Sequence, residues 1–297
     1  MEIKRLGVWA FTDQYTAQQA ADFARQVEAW GYGALWYPEA VGRDSLVQAG
    51  WLLHNTKKLV VASGIANIFA RDAQSSQAGA NALNEAYGGR FLLGLGVSHA
   101  PLVEAMRGHR YAKPLSHMRE YLQAMQKATY QAPPPPERPR VVLAALAPGM
   151  LKLSAELADG AHPYNVNPAH TRQARELLGP NKWLCVEQKV IWESDPERAR
   201  QAARAALEMY VKLPNYVNNW KNLGFSQEEI SSQSDRFVDA LVAWGDAGAI
   251  EERLQQHWQA GADHVCVQAL QPDGKSIDQG ALERLAHLNA QFVRNPK

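Results

Sequence analysis

Few side chains in this sequence carry the means for chemistry, and His99 is the foremost of them. It follows the run Gly94-Leu95-Gly96-Val97-Ser98. An imidazole with an ordinary pKa of about 6.5 takes or delivers a proton near neutral pH, as oxidation of an alcohol or reduction of an activated double bond requires. Ser98 beside it offers a hydroxyl donor, or simply turns the chain. His162-Pro163-Tyr164 sets an imidazole and a phenol on either side of a proline, an arrangement for lining a ligand or for an ordinary turn. Pro148-Gly149-Met150 after Ala147 opens a helix whose first N–H groups lack helical partners, which suits a phosphate or marks a routine helix start. Asn67, Phe69 and Arg71 form a polar and aromatic loop, with Asp72 and Glu85 as partners for Arg71. Glu187 and Gln188 interrupt an otherwise apolar strand, so one of the two faces inward and needs a partner there.

Missing patterns exclude other chemistries. The nine histidines include no H-x-H or H-E-x-x-H pair, the spacing that zinc and binuclear metal sites use, so no metal is expected. No G-x-S-x-G elbow or Walker-type phosphate loop occurs. Gly94-Leu95-Gly96-Val97-Ser98-His99 begins like a dinucleotide fingerprint but ends in His, and a long connection follows it in place of a helix. The 31 Lys and Arg against 30 Asp and Glu leave a formal charge of +1, too weak a field to hold nucleic acid or an anionic membrane. No apolar run approaches the roughly 18 residues of a membrane helix, and the start Met1-Glu2-Ile3-Lys4-Arg5 lacks a signal-peptide pattern, so a cytoplasmic location is expected. Cys185 and Cys266 sit in strand-like surroundings and read as buried free thiols.

The elements that must position these groups follow from periodicity. Apolar runs bounded by turn residues alternate with helical stripes along nearly the whole chain. Residues 6–9 read as a strand. Thr16 and Gln19 then form a capping box, the stripe Ala20, Phe23, Ala24, Val27, Trp30 follows, Gly31 closes the helix, and 34–37 is a second strand. Residues 59–63, 91–95, 141–145, 161–164, 183–192 and 263–268 complete a set of eight. About 70 residues separate the last two, too many for a structureless loop. Phe237, Leu241 and Trp244 mark one helix in that interval; Ile250, Leu254, His257 and Trp258 mark another. A last amphipathic helix is expected over 280–292. Pro133 to Pro136 reads as a surface loop and not an interdomain linker, because the alternation resumes beyond it. The expectation is one α/β domain over residues 1–297, a (β/α)8 TIM barrel with insertions above the roughly 250-residue norm. A doubly wound sheet is the alternative built from the same grammar.

In such a barrel the reacting groups lie on the loops after the strands, here 9–11, 37–39, 63–67, 96–99, 144–148, 162–164, 187–192 and Gln268. The cleft they enclose is rich in aromatic rings and poor in charge, of the type that holds a flat heteroaromatic cofactor.

The segment "LVVASGIANIFARDAQSSQAGANALNEAYGGRFLLGLGVSH" from Leu59 to His99 resembles the luciferase-like flavin and deazaflavin oxidoreductases. So do "KPLSHMREYL" from Lys113, "LADGAHPYNVNPAH" from Leu157 and "LVAWGDAGAIEERLQQHWQAGADHVCVQ" from Leu241. The likeness covers most of the chain in order and is greatest to the coenzyme F420-dependent subgroup. It implies a flavin-type ring seated against a bulge after the third strand, with a cis peptide bond not involving proline at Gly64-Ile65 or, less favoured, Ser63-Gly64. Around that ring and its phosphate it implies Ser63, Gly64, Ile65, Asn67, Gly96, Val97, Ser98, Ala144, Ala145, Leu146, Ala147, Gly149, Met150, His162 and Tyr164. His99 and Glu39 are the implied catalytic residues, Glu39 matching an acidic position near the reactive edge of the ring. Ala40 departs from the histidine that related deazaflavin dehydrogenases often carry after that acid, which argues against sugar-phosphate dehydrogenase chemistry. The implied activity is coenzyme F420-dependent hydride transfer to or from a small organic substrate. An FMN-dependent monooxygenase supplied with reduced flavin by a partner reductase is the alternative within the fold, and a non-catalytic flavin-binding barrel the alternative outside it. Residues 100–112 and the long insertion are expected to shape the substrate site, and a homodimer is expected as the assembly.

Overall fold

The computed structural model describes residues 1–291. Its strands are β1 (Leu6–Trp9), β2 (Ala34–Tyr37), β3 (Val60–Ser63), β4 (Ala66–Asn67), β5 (Phe91–Gly96), β6 (Arg140–Leu143), β7 (Gly160–Ala161), β8 (Trp183–Ile191), β9 (Val242–Trp244) and β10 (His264–Leu270). The helices are α1 (Ala17–Ala29), α2 (Ser45–His54), α3 (Ala73–Ala86), α4 (Pro114–Gln126), α5 (Pro148–Leu157), α6 (Pro168–Leu178) and α7 (Pro196–Leu207). They continue with α8 (Pro214–Asn222), α9 (Gln227–Ser232), α10 (Asp235–Leu241), α11 (Ala247–Gln259), α12 (Gln279–Leu285) and α13 (Leu288–Gln291). Strands β1-β2-β3-β5-β6-β7-β8-β10 run parallel and close into a TIM barrel, since β10 pairs with both β1 and β8.

The alternation was readable because every barrel strand is buried on both faces. Trp9, Trp36, Ala62, Leu92, Val142, Cys185 and Cys266 fill the interior. Their neighbours Val8, Leu35, Val61, Leu93, Leu143, Val186 and Val267 pack under the helices. Both cysteines are buried free thiols, as expected. Thr16 and Gln19 form the capping box, Asp72, Asn167 and Asp195 cap α3, α6 and α7, and Gly31 has φ 85° beyond the end of α1. Residues 133–136 lie in the loop from α4 to β6, and β6 is the barrel neighbour of β5.

Several boundaries differ from expectation. Helix α2, capped by Asp44, falls in a stretch with no clear polar face and was not foreseen. Strand β6 ends at Leu143, short of Ala145. Strand β7 is two residues long, and where it stops, the same edge of β8 is taken by β9. Trp244, expected on a helix, therefore ends a strand: α10 stops at Leu241, and Gly245 with φ 122° terminates β9. The last expected helix is broken into α12 and α13; its end at Phe292 lies outside the described residues. The insertion before β10 builds its own core, with Tyr210, Tyr216, Trp220, Phe225 and Phe237 packed against Ile191 and Leu270 at the barrel mouth.

Candidate active site

One extra residue shapes the site. Ala62 pairs with Leu92 and Ala66 with Leu95, so Ser63, Gly64 and Ile65 oppose only two residues of β5, a β-bulge. The Gly64-Ile65 bond is cis, the more favoured of the two expected positions. Glycines clear the space opposite. A Cβ on Gly94 would lie 2.0 Å from the Ser63 carbonyl oxygen, and one on Gly96 would lie 2.4 Å from Ile65 Cγ1. The Gly-x-Gly pair thus serves packing against the bulge and not a dinucleotide turn. Ser63 Oγ donates to the Gly94 carbonyl at 2.8 Å and accepts the Gly94 N–H at 2.9 Å, repairing the ladder that the bulge interrupts. The Ser63 hydroxyl, expected toward the cofactor, is thus engaged within the strand pair.

Glu39, expected near the reactive edge of the ring, is likewise engaged by protein groups. The Asn67 N–H reaches its Oε2 at 2.8 Å, the Ser45 N–H its Oε1 at 3.1 Å, and Arg71 donates to both oxygens. Its own N–H donates to the Ile65 carbonyl at 3.1 Å. The carboxylate is buried and clamps the bulge to the end of β2, both of its oxygens being taken by these donors. Arg71 pairs with Glu39 and Asp44, 2.7 Å away, instead of Asp72 or Glu85. Asn67 Oδ1 accepts the Phe69 N–H at 2.9 Å and closes the loop on itself.

Gly64, Ile65, Val97, Ser98 and His99 form a half-buried rim on the consecutive strands β3 and β5. Ser98 has φ 56°, a left-handed turn. On the next strand, Ala144 and Leu146 are half-buried, and α5 begins at Pro148 with no side chain capping it, leaving Ala147 and Gly149 exposed and Met150 half-buried. Ala145 departs from the expected set: it is buried beneath the helices.

His162 lies beneath the rim. It is 1% exposed inside the barrel and stacks on Trp36 at 4.3 Å and 13°. Burial pushes its pKa down to about 4, so the ring is neutral, and Nδ1 donates to the Cys185 carbonyl at 2.9 Å. Its Nε2 is left as an acceptor without a hydrogen bond, and so is the Trp9 indole N–H as a donor. A Cβ on Gly64 would lie 2.7 Å from Trp9 Nε1 and 3.0 Å from His162 Nε2, so these two side chains back the bulge from below and only glycine fits there.

Sequence reading missed the centre of the barrel mouth. Glu187 faces inward, as one of the 187/188 pair had to, and its partner is Lys189, one strand repeat on. Lys189 Nζ lies 2.5 Å from Asn165 Oδ1, 3.3 Å from Glu187 Oε1 and 3.9 Å above the Tyr164 ring. Burial pushes the Glu187 carboxyl up and the Lys189 ammonium down, each partly offset by the other. Gln188 faces outward to His257. The signal for Lys189 was present: residues 187 and 189 share a face. Tyr164, half-buried, donates to Gln268 Oε1 at 2.9 Å, shares a 2.9 Å hydrogen bond with the Tyr210 hydroxyl, and packs 4.9 Å from Trp9. His99 faces this aromatic group through Tyr216, 5.8 Å away. Burial lowers its pKa, a shift that the neighbouring Asn215 side chain, as an acceptor for the ring N–H, opposes.

Solved chains of known activity share this architecture. The structure of an F420-dependent secondary alcohol dehydrogenase with an F420-acetone adduct superposes with a TM-score of 0.79 at 15% identity, covering 99% of this chain and 100% of that one. Monooxygenases, one of them holding FMN, share the fold as well. In sequence, a Mycobacterium tuberculosis protein carrying the name coenzyme F420-dependent oxidoreductase is 28% identical over 160 residues, which span 54% of this chain and 45% of that relative. The 5,10-methylenetetrahydromethanopterin reductase of Methanolobus tindarius is 25% identical over 275 residues, 83% of this chain and 82% of the relative. The family profile described as luciferase-like monooxygenase matches residues 4–264, and this protein belongs to that family.

Proposed function

We propose that this protein is an oxidoreductase that binds coenzyme F420 at the mouth of the barrel and passes a hydride to or from a small organic substrate. The observation that carries the reading is the bulge at Ser63, Gly64 and Ile65, cleared by Gly94 and Gly96 and backed by the unpartnered Trp9 and His162 nitrogens. Such a floor suits a flat ring: it is apolar, half-buried and stiffened by backbone contacts. Ile65, Gly96, Val97 and Ser98 would seat the ring, and the uncapped start of α5 around Gly149 would take a phosphate. When bound, the deazaflavin supplies the hydride acceptor or donor. His99 holds or delivers the proton that balances hydride transfer, its partly buried ring being neutral over more of the pH range than a solvated one. The name of the Mycobacterium tuberculosis relative favours F420. The family's description as monooxygenases favours FMN as the second reading, with reduced flavin coming from a partner reductase.

Titration of the purified protein with F420 and with FMN, read by tryptophan quenching, separates these readings. We expect saturable F420 binding and weaker FMN binding. Binding of FMN alone would move the assignment to a monooxygenase, and binding of neither would leave a barrel without cofactor. His99→Ala should keep cofactor affinity and lower turnover by about 100-fold or more; an unchanged rate removes His99 from the reaction.

A further inference from the structure

The loop of residues 144–147 runs from the glycine-cleared floor to the start of α5, and one buried side chain holds its middle. Ala144 adjoins the floor: its Cβ would lie 3.3 Å from a Cβ on Gly96. His170, the third residue of α6, is 2% exposed, and its Nε2 meets the Leu146 carbonyl at 2.9 Å. We infer that His170 is a positioning residue for this loop: it fixes the plane of the Leu146-Ala147 peptide, and with it the direction in which the loop presents its N–H groups to a bound cofactor. The inference rests on the reading of this corner as part of the cofactor site. A carbonyl only accepts, so Nε2 carries the ring proton and Nδ1 is a bare acceptor, with no partner among the described residues. Burial lowers the pKa of the ring, and the bond to the Leu146 carbonyl opposes that shift. A leucine or methionine would fill the same space without stranding Nδ1 in the interior, which costs stability. What neither could supply is the donor to Leu146.

Packing by itself does not settle that peptide. The Leu146 side chain packs against both the barrel core and the insertion core, which fixes where the residue sits. Which way its carbonyl turns is a separate choice, because a peptide plane rotates between two placed side chains. With the carbonyl held toward α6, the planar trans peptide directs the Ala147 N–H the opposite way. Ala147 is exposed and precedes the uncapped first turn of α5, so this N–H adds to the donors that a first turn leaves without helical partners. The seat of α6 is fixed independently of the loop. Asn167 caps it by accepting the His170 N–H at 3.0 Å, Thr171 Oγ1 hydrogen-bonds to His257 Nδ1 of α11 at 2.8 Å, and Arg175 reaches the Gly261 carbonyl at 2.9 Å and Asp263 at 2.6 Å. Anchored to α11 and to the turn before β10, α6 gives His170 a rigid base from which to hold the loop.

The test compares wild type with His170→Gln, His170→Met and Thr171→Val, the last of which removes the neighbouring buried hydrogen bond to His257 and leaves Leu146 untouched. Amide hydrogen exchange over residues 144–150 is followed in the cofactor-free protein, stability by urea unfolding, and the dissociation constant by tryptophan quenching with F420, or with FMN if wild type binds that instead. His170→Met should speed exchange at Ala147 and Gly149 and weaken binding, each by about tenfold, because the ligand must then order the loop itself. His170→Gln, whose amide N–H still donates to the Leu146 carbonyl, should stay within about threefold of wild type in both. Thr171→Val should lower the unfolding midpoint yet keep loop exchange and affinity. Wild-type exchange and affinity in His170→Met overturn the inference. So does an affinity loss in Thr171→Val as large as that in His170→Met, which would make His170 one structural contact among others. A wild type that binds neither F420 nor FMN overturns the cofactor reading instead, and loop exchange in His170→Met still decides whether His170 holds the loop.

Discussion

Arg71 reaches both oxygens of the Glu39 carboxylate and also Asp44, while the N–H groups of Ser45 and Asn67 take up what remains of that carboxylate's accepting capacity. What a residue so placed holds is the bulge, through Asn67 on one side and Ile65 on the other. Removing one member of a buried pair strands the other, at a cost of about 3–5 kcal/mol, and Asp44 shares the charge of Arg71 here. We therefore predict that Glu39→Ala lowers the unfolding free energy by about 3 kcal/mol and Glu39→Gln by about 1–2 kcal/mol, since the amide still accepts. Urea unfolding measures this, with cofactor affinity expected to fall in step. Wild-type stability combined with lost turnover would return Glu39 to the chemistry. Nothing local in the sequence distinguishes the two roles, because Arg71 and Asn67 lie about 30 positions away along the chain and meet Glu39 only once β2 and β3 pair.

The bulge is an element-scale device that the sequence displays through its neighbour. Two glycines on β5 look like half a nucleotide fingerprint, and the structure gives them a packing reason on the adjacent strand. A Cβ on Gly94 meets backbone, the Ser63 carbonyl oxygen, whereas one on Gly96 meets the Ile65 side chain, which can turn away in part. Gly94→Ala should therefore cost about 3 kcal/mol or more or prevent folding, and Gly96→Ala about 1–3 kcal/mol with loss of cofactor affinity exceeding the loss of stability. Thermal melts beside cofactor titrations test the pair; a Gly94→Ala protein of native stability would remove the bulge from the account. Strand β8 gives a second case. Lys189→Met leaves Glu187 buried and unpaired and should cost about 3–5 kcal/mol, while Lys189→Met with Glu187→Gln should cost less than the single change. Full additivity of the two substitutions in urea unfolding would mean that the pair is not coupled.

At the scale of the molecule, the barrel was legible because each parallel strand is a short apolar run closed by turn residues, a pattern set within ten residues of chain. Strand β9, the shortness of β7 and the docking of α8 beside His99 were not legible, because each depends on what happens on a distant edge: β9 exists where β7 ends, and α8 rests on Asn165 and Tyr164. Closing the barrel also buries histidines that in isolation look like any others. Burial takes His162 and His264, inside the barrel, to pKa values of about 4, and His257, between α11 and the wall, to about 3. Each titrates near 6.5 once unfolded. Their folded pKa values are depressed, so the unfolded chain binds more protons between these limits. The stability they contribute is complete above about pH 6.5 and declines as pH falls toward the folded values. With about 1.4 kcal/mol per proton and pH unit, the three together set a slope of up to about 4 kcal/mol per pH unit near pH 5. Urea unfolding at pH 7, 6 and 5 should show that decline beginning well above the carboxylate range. His264→Gln, whose amide oxygen can still accept the Trp36 indole N–H that His264 Nε2 now takes at 2.9 Å, should flatten the slope by about a third. A stability that stays level from pH 7 to pH 5 would mean that these rings are protonated within the folded barrel, and with them the neutral His162 beneath the bulge would be lost.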